Sequence, residues 1–326
     1  MNKMTKRIDI IKDVVRGMGG TIEEFLPGRG FLYVIVSGKR ILMESNLSIT
    51  RQCFVSEKLT SCKDITSKLL LDNNLPTPKT EFFYNKDYNK IEASEKLDSF
   101  HYPIILKNAT GSKSVGMFPG VEDLKSATKI LKKQLPIYRS MVAQEMVFGR
   151  EYRILILGEK IIGALEMIHP HIIGDGISSI RKIIRQKQCT TERRTKFDTS
   201  FLQTLKKQGV SLRTVLVKDR IVYFKRNSCL AEGGETKNIT DIVHVGVKDL
   251  CVLASKVVGR YLVGIDIMCD DITKKPTKKN FSILEINGKP DLYIHYNPTH
   301  GESQDVLREV IQFLIKEKPP VLVAVK

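Results

Sequence analysis

The sequence predicts an α+β (α/β) protein with mixed, largely antiparallel sheets. Helical patterns alternate with short β-rich runs, and two pairs of these runs are joined at hairpin spacing, by Gly38–Lys39 and by Gly158–Glu159. The sequence contains no internal repeat or low-complexity tract, which argues against solenoids and propellers. With 326 residues and 42% hydrophobic content, the chain is long enough for two or three packed lobes.

The first 60 residues predict a small α/β lobe. A helical pattern covers Ile8–Met18, and a glycine pair then interrupts it. The β-rich runs Phe31–Ser37 and Arg40–Met43 follow as the first hairpin. A second helical pattern begins at Ser61 and leads into two closely spaced prolines, which favour an extended exit and a lobe junction.

The middle of the chain predicts a phosphate-binding arrangement. The β run Pro103–Lys107 is followed by a loop of small residues, Asn108–Gly116, and by a helix over Val121–Gln134. A further strand is predicted around Met141–Met146. Strand, glycine-containing loop, helix and strand is an order that can cradle nucleotide phosphates, because small residues let backbone amides approach them closely.

The second half of the sequence continues the alternation. Asp175–Gly176 opens a helix that runs through Lys187. The β-rich runs predicted here are Tyr152–Leu157, Lys160–Met167, Thr214–Phe224, Val263–Met268 and Phe281–Ile286.

Composition and charge narrow the classes of function. The formal net charge of +17 suits either nucleic acid or small anionic substrates. Lysine and arginine are spread over the whole chain and Trp is absent, so a basic-aromatic nucleic-acid platform is disfavoured. The six cysteines form no CxxC pair, and no apolar run is long enough to cross a bilayer. We expect a cytoplasmic protein without a nucleic-acid or membrane partner.

The loop Gly111–Gly116 has the glycine spacing of a Walker A motif but not its chemistry. Met117 stands where that motif requires a lysine, and Phe118 where it requires a hydroxyl for magnesium. Lys107 lies instead at the end of the preceding β run, where a rigid strand can aim its ammonium group at phosphates. Two interpretations remain: a glycine-containing flap that works together with a strand lysine, or an ordinary surface turn.

Two further groups of polar residues suggest chemistry. Asp266 follows one buried run, and Glu285 and Asn287 lie two apart on another, so their side chains share a strand face. Carboxylate and amide oxygens form a site suited to magnesium, although three polar residues on an open sheet face would give the same pattern. Arg226 and Asn227 lie close to a double glycine, where they could contact a phosphorylated intermediate or form a plain basic turn.

Taken together, these segments resemble the ATP-grasp ligases, in the branch of cyanophycin synthetase and the bifunctional glutathione synthetases. The resemblance runs from about Ser61 to Asp305. It rests on the order of the segments Ser61–Leu70, Tyr102–Lys107, Ala143–Leu155, Ile172–Ile180, Lys225–Gly234, Gly264–Asp266 and Glu285–Asn287. It implies an ATP-grasp domain over residues 61–326, with a nucleotide-binding lid at about 95–147 and a metal and substrate lobe at about 148–326.

The resemblance also implies a role for each matching residue. The nucleotide-binding residues would be Lys63 and Lys107 at the phosphates, Gly111, Ser112, Ser114 and Gly116 in the flap, Gln144 and Glu145 at the adenine, and Glu151 at the ribose. The catalytic residues would be Arg153, Arg226 and Asn227, and the metal ligands Asp266, Glu285 and Asn287.

The activity implied is ATP-dependent joining of a carboxylate to an amine through an acyl phosphate, with release of ADP and phosphate. ATP and two magnesium ions, or manganese in their place, would be required. The partners would be small carboxylate and amine substrates, amino acids or peptides, and a second copy of the chain in a homo-oligomer. The chain also departs from the family: its flap contains fewer glycines, and Gly288–His295 replaces a smaller, more apolar string.

Two expectations complete the interpretation. Because no second catalytic module is recognisable, a free-standing ligase for a single reaction is expected. The alternative is a non-catalytic nucleotide-binding or interaction protein that keeps the ATP-grasp fold. The presence of Asp266, Glu285 and Asn287 together with Lys107 and Arg153 argues against this alternative, since a protein without chemistry would not need that combination.

Overall fold

The computed structural model describes residues 3–26, 30–44, 54–110, 115–190, 197–225, 228 and 230–316. The chain divides into two compact units. The first unit contains Met1–Ala164, Ile239–Asn297 and Ser303–Lys326, and the second contains Leu165–Asn238 and Pro298–Glu302. Within the described ranges, no helix combines the length and apolar character needed to span a membrane. The division at residue 60 suggested by the sequence stays a prediction.

Helices and strands alternate along the described chain, as the sequence predicts. The helices are α1 (Lys3–Gly17), α2 (Phe54–Ser61), α3 (Lys63–Asp72), α4 (Lys90–Asp98), α5 (Leu124–Tyr138), α6 (Ile180–Thr190), α7 (Thr199–Lys207), α8 (Val245–Val257) and α9 (Val306–Lys316). The strands are β1 (Thr21–Leu26), β2 (Phe31–Val36), β3 (Lys39–Glu44), β4 (Thr80–Tyr84), β5 (Ile104–Asn108), β6 (Met117–Val121), β7 (Ser140–Glu145), β8 (Arg150–Leu157), β9 (Lys160–Ile168), β10 (His171–Ile173), β11 (Ile221–Tyr223), β12 (Glu235–Asn238), β13 (Leu262–Cys269) and β14 (Phe281–Asn287).

The N-terminal part of the first unit is a helix on a three-stranded antiparallel sheet of order β1-β2-β3. The hairpin predicted at Gly38–Lys39 is confirmed. Leu32 and Val34 of β2 are fully buried, and they pack with Ile11 of α1 in one hydrophobic cluster. The alternation of buried and more exposed residues along β2 is that of a sheet with one face on a core.

A second antiparallel sheet, of order β4-β7-β5-β6, carries α4 and α5. Leu97 of α4 and Leu131 of α5 are fully buried against Leu106 of β5. The helix predicted from Val121 in fact begins at Leu124, because Asp123 accepts a hydrogen bond from the Ser126 amide and caps it. Val121 is instead the last residue of β6.

The third sheet of the first unit places β13 between β8 and β14, all antiparallel, with β9 on the outer side of β8. One face of its strands is apolar, since Ile154, Ile265 and Ile286 are buried together with Cys251 and Ala254 of α8. Neighbouring residues on each strand point the other way. The predicted hairpin at Gly158–Glu159 joins β8 and β9.

The second unit consists of short strands and two helices around its own core. β10 pairs with β11, and β12 pairs with the last four residues of β9. The core contains Ile184 of α6, Phe201 of α7 and Val222 of β11. The strand predicted over Thr214–Phe224 is shorter than expected, because a turn at Asp219, whose φ is +64°, precedes it.

Candidate functional site

The polar face of the third sheet gathers charged residues from three neighbouring strands. Asp266 on β13 lies opposite Arg153 on β8 and opposite Glu285 on β14. Glu151 shares the face of Arg153, and Asn287 that of Glu285, because residues two apart on a strand point the same way. The strand register therefore brings together residues that lie up to 136 positions apart in the sequence.

Asp266 is the centre of this face and is only 9% exposed. Arg153 donates to both of its carboxylate oxygens, through Nε to Oδ1 and through Nη2 to Oδ2 at 2.8 Å. Asn287 Nδ2 donates to Oδ2 at 3.0 Å. A two-pronged guanidinium contact of this kind fixes both the position and the orientation of the carboxylate.

Burial and neighbouring charges oppose each other at this pair. The pKa of Asp266 is raised to about 6, because burial, together with the carboxylates of Glu285 and Glu151, outweighs the effect of the nearby Arg153. Burial disfavours the charged form of Arg153 as well, yet the Asp266 carboxylate raises the pKa of the guanidinium above its usual value. The arginine is therefore charged, and it favours the ionised form of the aspartate.

Two lysines approach the same face from other elements. Lys63 is the first residue of α3, and its Nζ lies 3.2 Å from Glu285 Oε1. Lys107 lies on β5, and its pKa is lowered to about 8, because burial and the charge of Lys63 outweigh the carboxylates of Glu285, Asp266 and Glu151. We call Lys63, Lys107, Glu151, Arg153, Asp266 and Glu285 the charge cluster. Its three cations and three carboxylates balance one another.

Gln144, on β7, is the side chain that holds Lys107. Lys107 Nζ donates to Gln144 Oε1 at 2.6 Å. Gln144 Nε2 donates to Thr80 Oγ1 at 3.0 Å and to Ser67 Oγ at 3.4 Å. The sequence resemblance placed Gln144 at the adenine, whereas its side chain is 2% exposed and is engaged by these three residues.

Glu145, the other residue assigned to the adenine, is paired with a neighbouring loop. Its Oε1 accepts from the backbone amide of His101 at 3.2 Å and lies 3.1 Å from His101 Nδ1. His101 is exposed, so this contact lies at the surface, at the end of β7, and not in the core of the second sheet.

The flap is described only in part. Gly111, Ser112 and Ser114 lie outside the described residues, and so do Arg226 and Asn227. At its end, Gly116 has a φ of +73°, and a Cβ there would lie 2.7 Å from Asn108 Cβ. Glycine is therefore required at this position on two grounds, backbone conformation and space.

Three buried neighbours of the candidate site carry no motif in the sequence. Ser67 and Thr80 support Gln144, and His295 is buried beside the polar face, with 1% exposure. The pKa of His295 is lowered to about 3, chiefly by burial and also by the charge of Arg153. Within the described part of the chain, neither of its ring nitrogens has a hydrogen-bond partner. Ser67 lies one turn after Lys63 on α3, and only the tertiary fold shows its contact with Gln144.

Comparison with solved structures identifies the architecture. A bifunctional glutathione synthetase from Pasteurella multocida superposes with a TM-score of 0.70 at 20% identity, over 93% of this chain and 44% of that chain. D-alanine–D-alanine ligase from Bacillus anthracis superposes with a TM-score of 0.51 at 14% identity, over 81% of this chain and 69% of that chain. The chain has the ATP-grasp fold.

Sequence relatives of this ATP-grasp chain lie in the predicted branch. It is 24% identical over 325 residues to the glutathione biosynthesis bifunctional protein GshAB of Clostridium perfringens, and the alignment covers 96% of this chain and 41% of the relative. It is 27% identical over 270 residues to cyanophycin synthetase of Geminocystis herdmanii, and the alignment covers 79% of this chain and 30% of the relative. The chain thus spans less than half the length of these relatives. No family model matches it.

The alignments widen the predicted resemblance of this ATP-grasp chain. The sequence motifs suggested similarity from about Ser61 to Asp305, whereas the alignment with the clostridial protein takes in 96% of the chain. The N-terminal helix and three-stranded sheet therefore belong to the region of similarity. The ligand assigned to each site residue stays a prediction.

Proposed function

We propose that this chain is an ATP-dependent carboxylate–amine ligase, which forms an amide or peptide bond through an acyl phosphate and releases ADP and phosphate. The observation that carries the proposal is the charge cluster, with its cations held on the rigid strands and helix of an ATP-grasp fold. The names of the relatives, glutathione biosynthesis and cyanophycin synthetase, support amino acids or peptides as substrates. Because the chain spans only part of those relatives, the activity itself is a proposal.

The cations have separate tasks in this proposal. Lys63 and Lys107, which approach from α3 and β5, would neutralise the triphosphate. Arg153 would face the phosphoryl group in transfer, where negative charge is redistributed during the reaction. Its two-pronged contact with Asp266 holds the guanidinium in place before substrates bind, so little reorganisation is needed.

Asp266, Glu285 and Asn287 have the chemistry of a magnesium site. Two carboxylates and an amide place oxygen atoms on adjacent strands, and hard oxygen donors of this kind suit a divalent ion. The residues therefore fit a divalent ion. A bound ion would supply positive charge between the nucleotide phosphates. We propose two magnesium ions at this site, or manganese in their place.

The proposed reaction has two steps. An oxygen of the substrate carboxylate attacks the γ-phosphorus, the bond to the bridging oxygen breaks, and ADP leaves. The amine nitrogen of the second substrate then attacks the acyl carbon, loses a proton, and displaces inorganic phosphate. Arg153 would stabilise the charged oxygens in both steps. The roles that the sequence resemblance implies for Arg226 and Asn227, which lie outside the described residues, stay predictions.

The test is release of ADP from Mg-ATP with amino acids and acidic dipeptides, supplied singly and in pairs. We expect ADP only when a carboxylate and an amine are both present, with a product mass equal to the two substrates minus water. Lys107→Met should abolish turnover, whereas Lys132→Met, on an exposed face of α5, should not. Binding of Mg-ATP without pair-dependent ADP release across the panel would contradict the ligase proposal.

A further inference from the structure

We infer that Gln144 is a positioning residue for Lys107, which acts on the nucleotide phosphates through that lysine and leaves recognition of the base to other groups. The inference rests on the proposed function, because it assumes that Lys107 meets the phosphates. It departs from the role suggested by sequence, in which Gln144 meets the adenine. The geometry of four side chains, all in the first unit, carries it.

The orientation of the Gln144 amide is fixed chemically at its oxygen. A lysine ammonium group only donates hydrogen bonds, so the atom 2.6 Å from Lys107 Nζ must be the amide oxygen. Oxygen and nitrogen of an amide are exchanged by a simple flip, and contacts of this kind decide between the two orientations.

The opposite end of the amide agrees with this assignment. Thr80 Oγ1 donates its single proton to the carbonyl of Pro78 at 2.8 Å, so it must accept from Gln144 Nε2 at 3.0 Å. Ser67 Oγ is a second neighbour of Nε2, at 3.4 Å. The amide thus makes three of its four possible hydrogen bonds within the protein, and because Gln144 is only 2% exposed, a base could reach the remaining acceptor position only if the side chain moved.

The arrangement also couples the two phosphate lysines. Lys63 and Ser67 lie one turn apart on α3, on the same side of the helix. Lys63 reaches Glu285, while Ser67 contacts Gln144, which holds Lys107. A displacement of α3 would therefore affect the positions of both lysines: that of Lys63 directly, and that of Lys107 through the buried amide of Gln144.

The test separates binding of phosphates from binding of the base. Affinities of wild-type protein and variants are measured calorimetrically for Mg-ADP and for adenosine, which lacks phosphates. Gln144→Met keeps nearly the same volume but removes the acceptor, and it should weaken Mg-ADP binding by about tenfold or more, the effect of losing a charge-assisted hydrogen bond. Adenosine binding should stay at the wild-type level.

Two variants ask whether the effect passes through the lysine. Gln144→Glu keeps an oxygen facing Lys107 but loses the donor to Thr80, so it should weaken Mg-ADP binding less than Gln144→Met does. In a Lys107→Met background, Gln144→Met should cause less than about a twofold further loss, because the partner it positions is already gone. Gln203→Met, on the exposed side of α7, is the matched control and should change neither affinity.

Several results would overturn the inference. Equal losses for adenosine and Mg-ADP would assign Gln144 to the base, and unchanged affinities would leave it without a role in binding. If Gln144→Met does not fold, Thr80→Val takes its place, since it removes the acceptor for Nε2 and should weaken Mg-ADP selectively. If wild-type protein binds neither Mg-ADP nor Mg-ATP, the proposed function fails and this inference fails with it. Normal nucleotide binding without ligase turnover would leave the inference standing and refute only the activity.

Discussion

Arg153 and Asp266 lie directly opposite each other on β8 and β13, and the guanidinium contacts both oxygens of the carboxylate. Each side chain is mostly buried, with 21% and 12% exposure. Because both groups lose their hydration, a buried pair of this kind adds little net stability, and it points to a use of the charges by the protein.

The first prediction concerns this pair. Arg153→Met should reduce the free energy of unfolding by about 3 kcal/mol, since it leaves the Asp266 carboxylate buried without its main partner. Asp266→Asn added to Arg153→Met should restore part of that loss, because the uncompensated charge is then absent. Urea unfolding at pH 7 measures both changes. Additive losses in the double variant would contradict the pairing.

Lys63 should matter more for activity than for stability. Its contact with Glu285 is partly exposed, and ion pairs of this kind contribute about 1 kcal/mol or less to the free energy of unfolding. Lys63→Met should therefore leave the melting temperature close to wild type and raise the KM for ATP. Lys68→Met, more exposed on the same helix, is the control and should change neither quantity. A large loss of stability in Lys63→Met alone would show that the lysine is structural.

His295 predicts a pH dependence of stability. Its pKa is about 3 in the folded protein, against about 6.5 for an unperturbed histidine, so the unfolded chain binds the proton more readily. The contribution of His295 to stability is therefore fully present above about pH 6.5 and is lost as the pH falls from there toward 3. The difference in unfolding free energy between pH 7 and pH 5 should shrink in His295→Leu. His101→Leu, at an exposed histidine, should keep the wild-type difference.

Gly264 predicts a steric effect on the site. A Cβ at this position would lie 2.9 Å from Pro290 Cβ and 3.3 Å from Arg153 Cδ. Gly264→Ala should therefore displace the arginine stem and lower kcat, with a cost of about 1–3 kcal/mol in stability. Gly17→Ala meets only the flexible end of Arg308 and serves as the control. Wild-type kcat in Gly264→Ala would show that the position of Arg153 tolerates this crowding.

The sequence predicted much of the architecture, because alternation of apolar residues is a local signal. The runs that became β8, β13 and β14 were found, and their polar residues were singled out. β1 was missed, since Glu23 and Glu24 are adjacent and break the alternation. The run from Thr214 was overextended, because its valines match a strand while Asp219 makes a turn.

The site was harder to predict than the strands. Pairing of Arg153 with Asp266 depends on strand register, which is a property of the folded sheet and not of either segment. The contact of Gln144 with Lys107 depends likewise on β5 and β7 being neighbours at Ile105 and Gln144. Ser67 and Thr80 lack any motif, so the support of the lysine could be seen only in three dimensions.

The alternation of charge and apolar side chains on β8 and β13 has a consequence for folding. If either strand slipped by one residue, Arg153 or Asp266 would turn into the core of Ile154 and Ile265, and those isoleucines would turn outward. Such a misaligned sheet would bury an unpaired charge, which is costly. A face of uncharged polar residues would tolerate the same slip more readily. The residues proposed to bind phosphate thus also disfavour the wrong register of the strands that carry them. Without these charges, the register of the sheet would be less strongly specified.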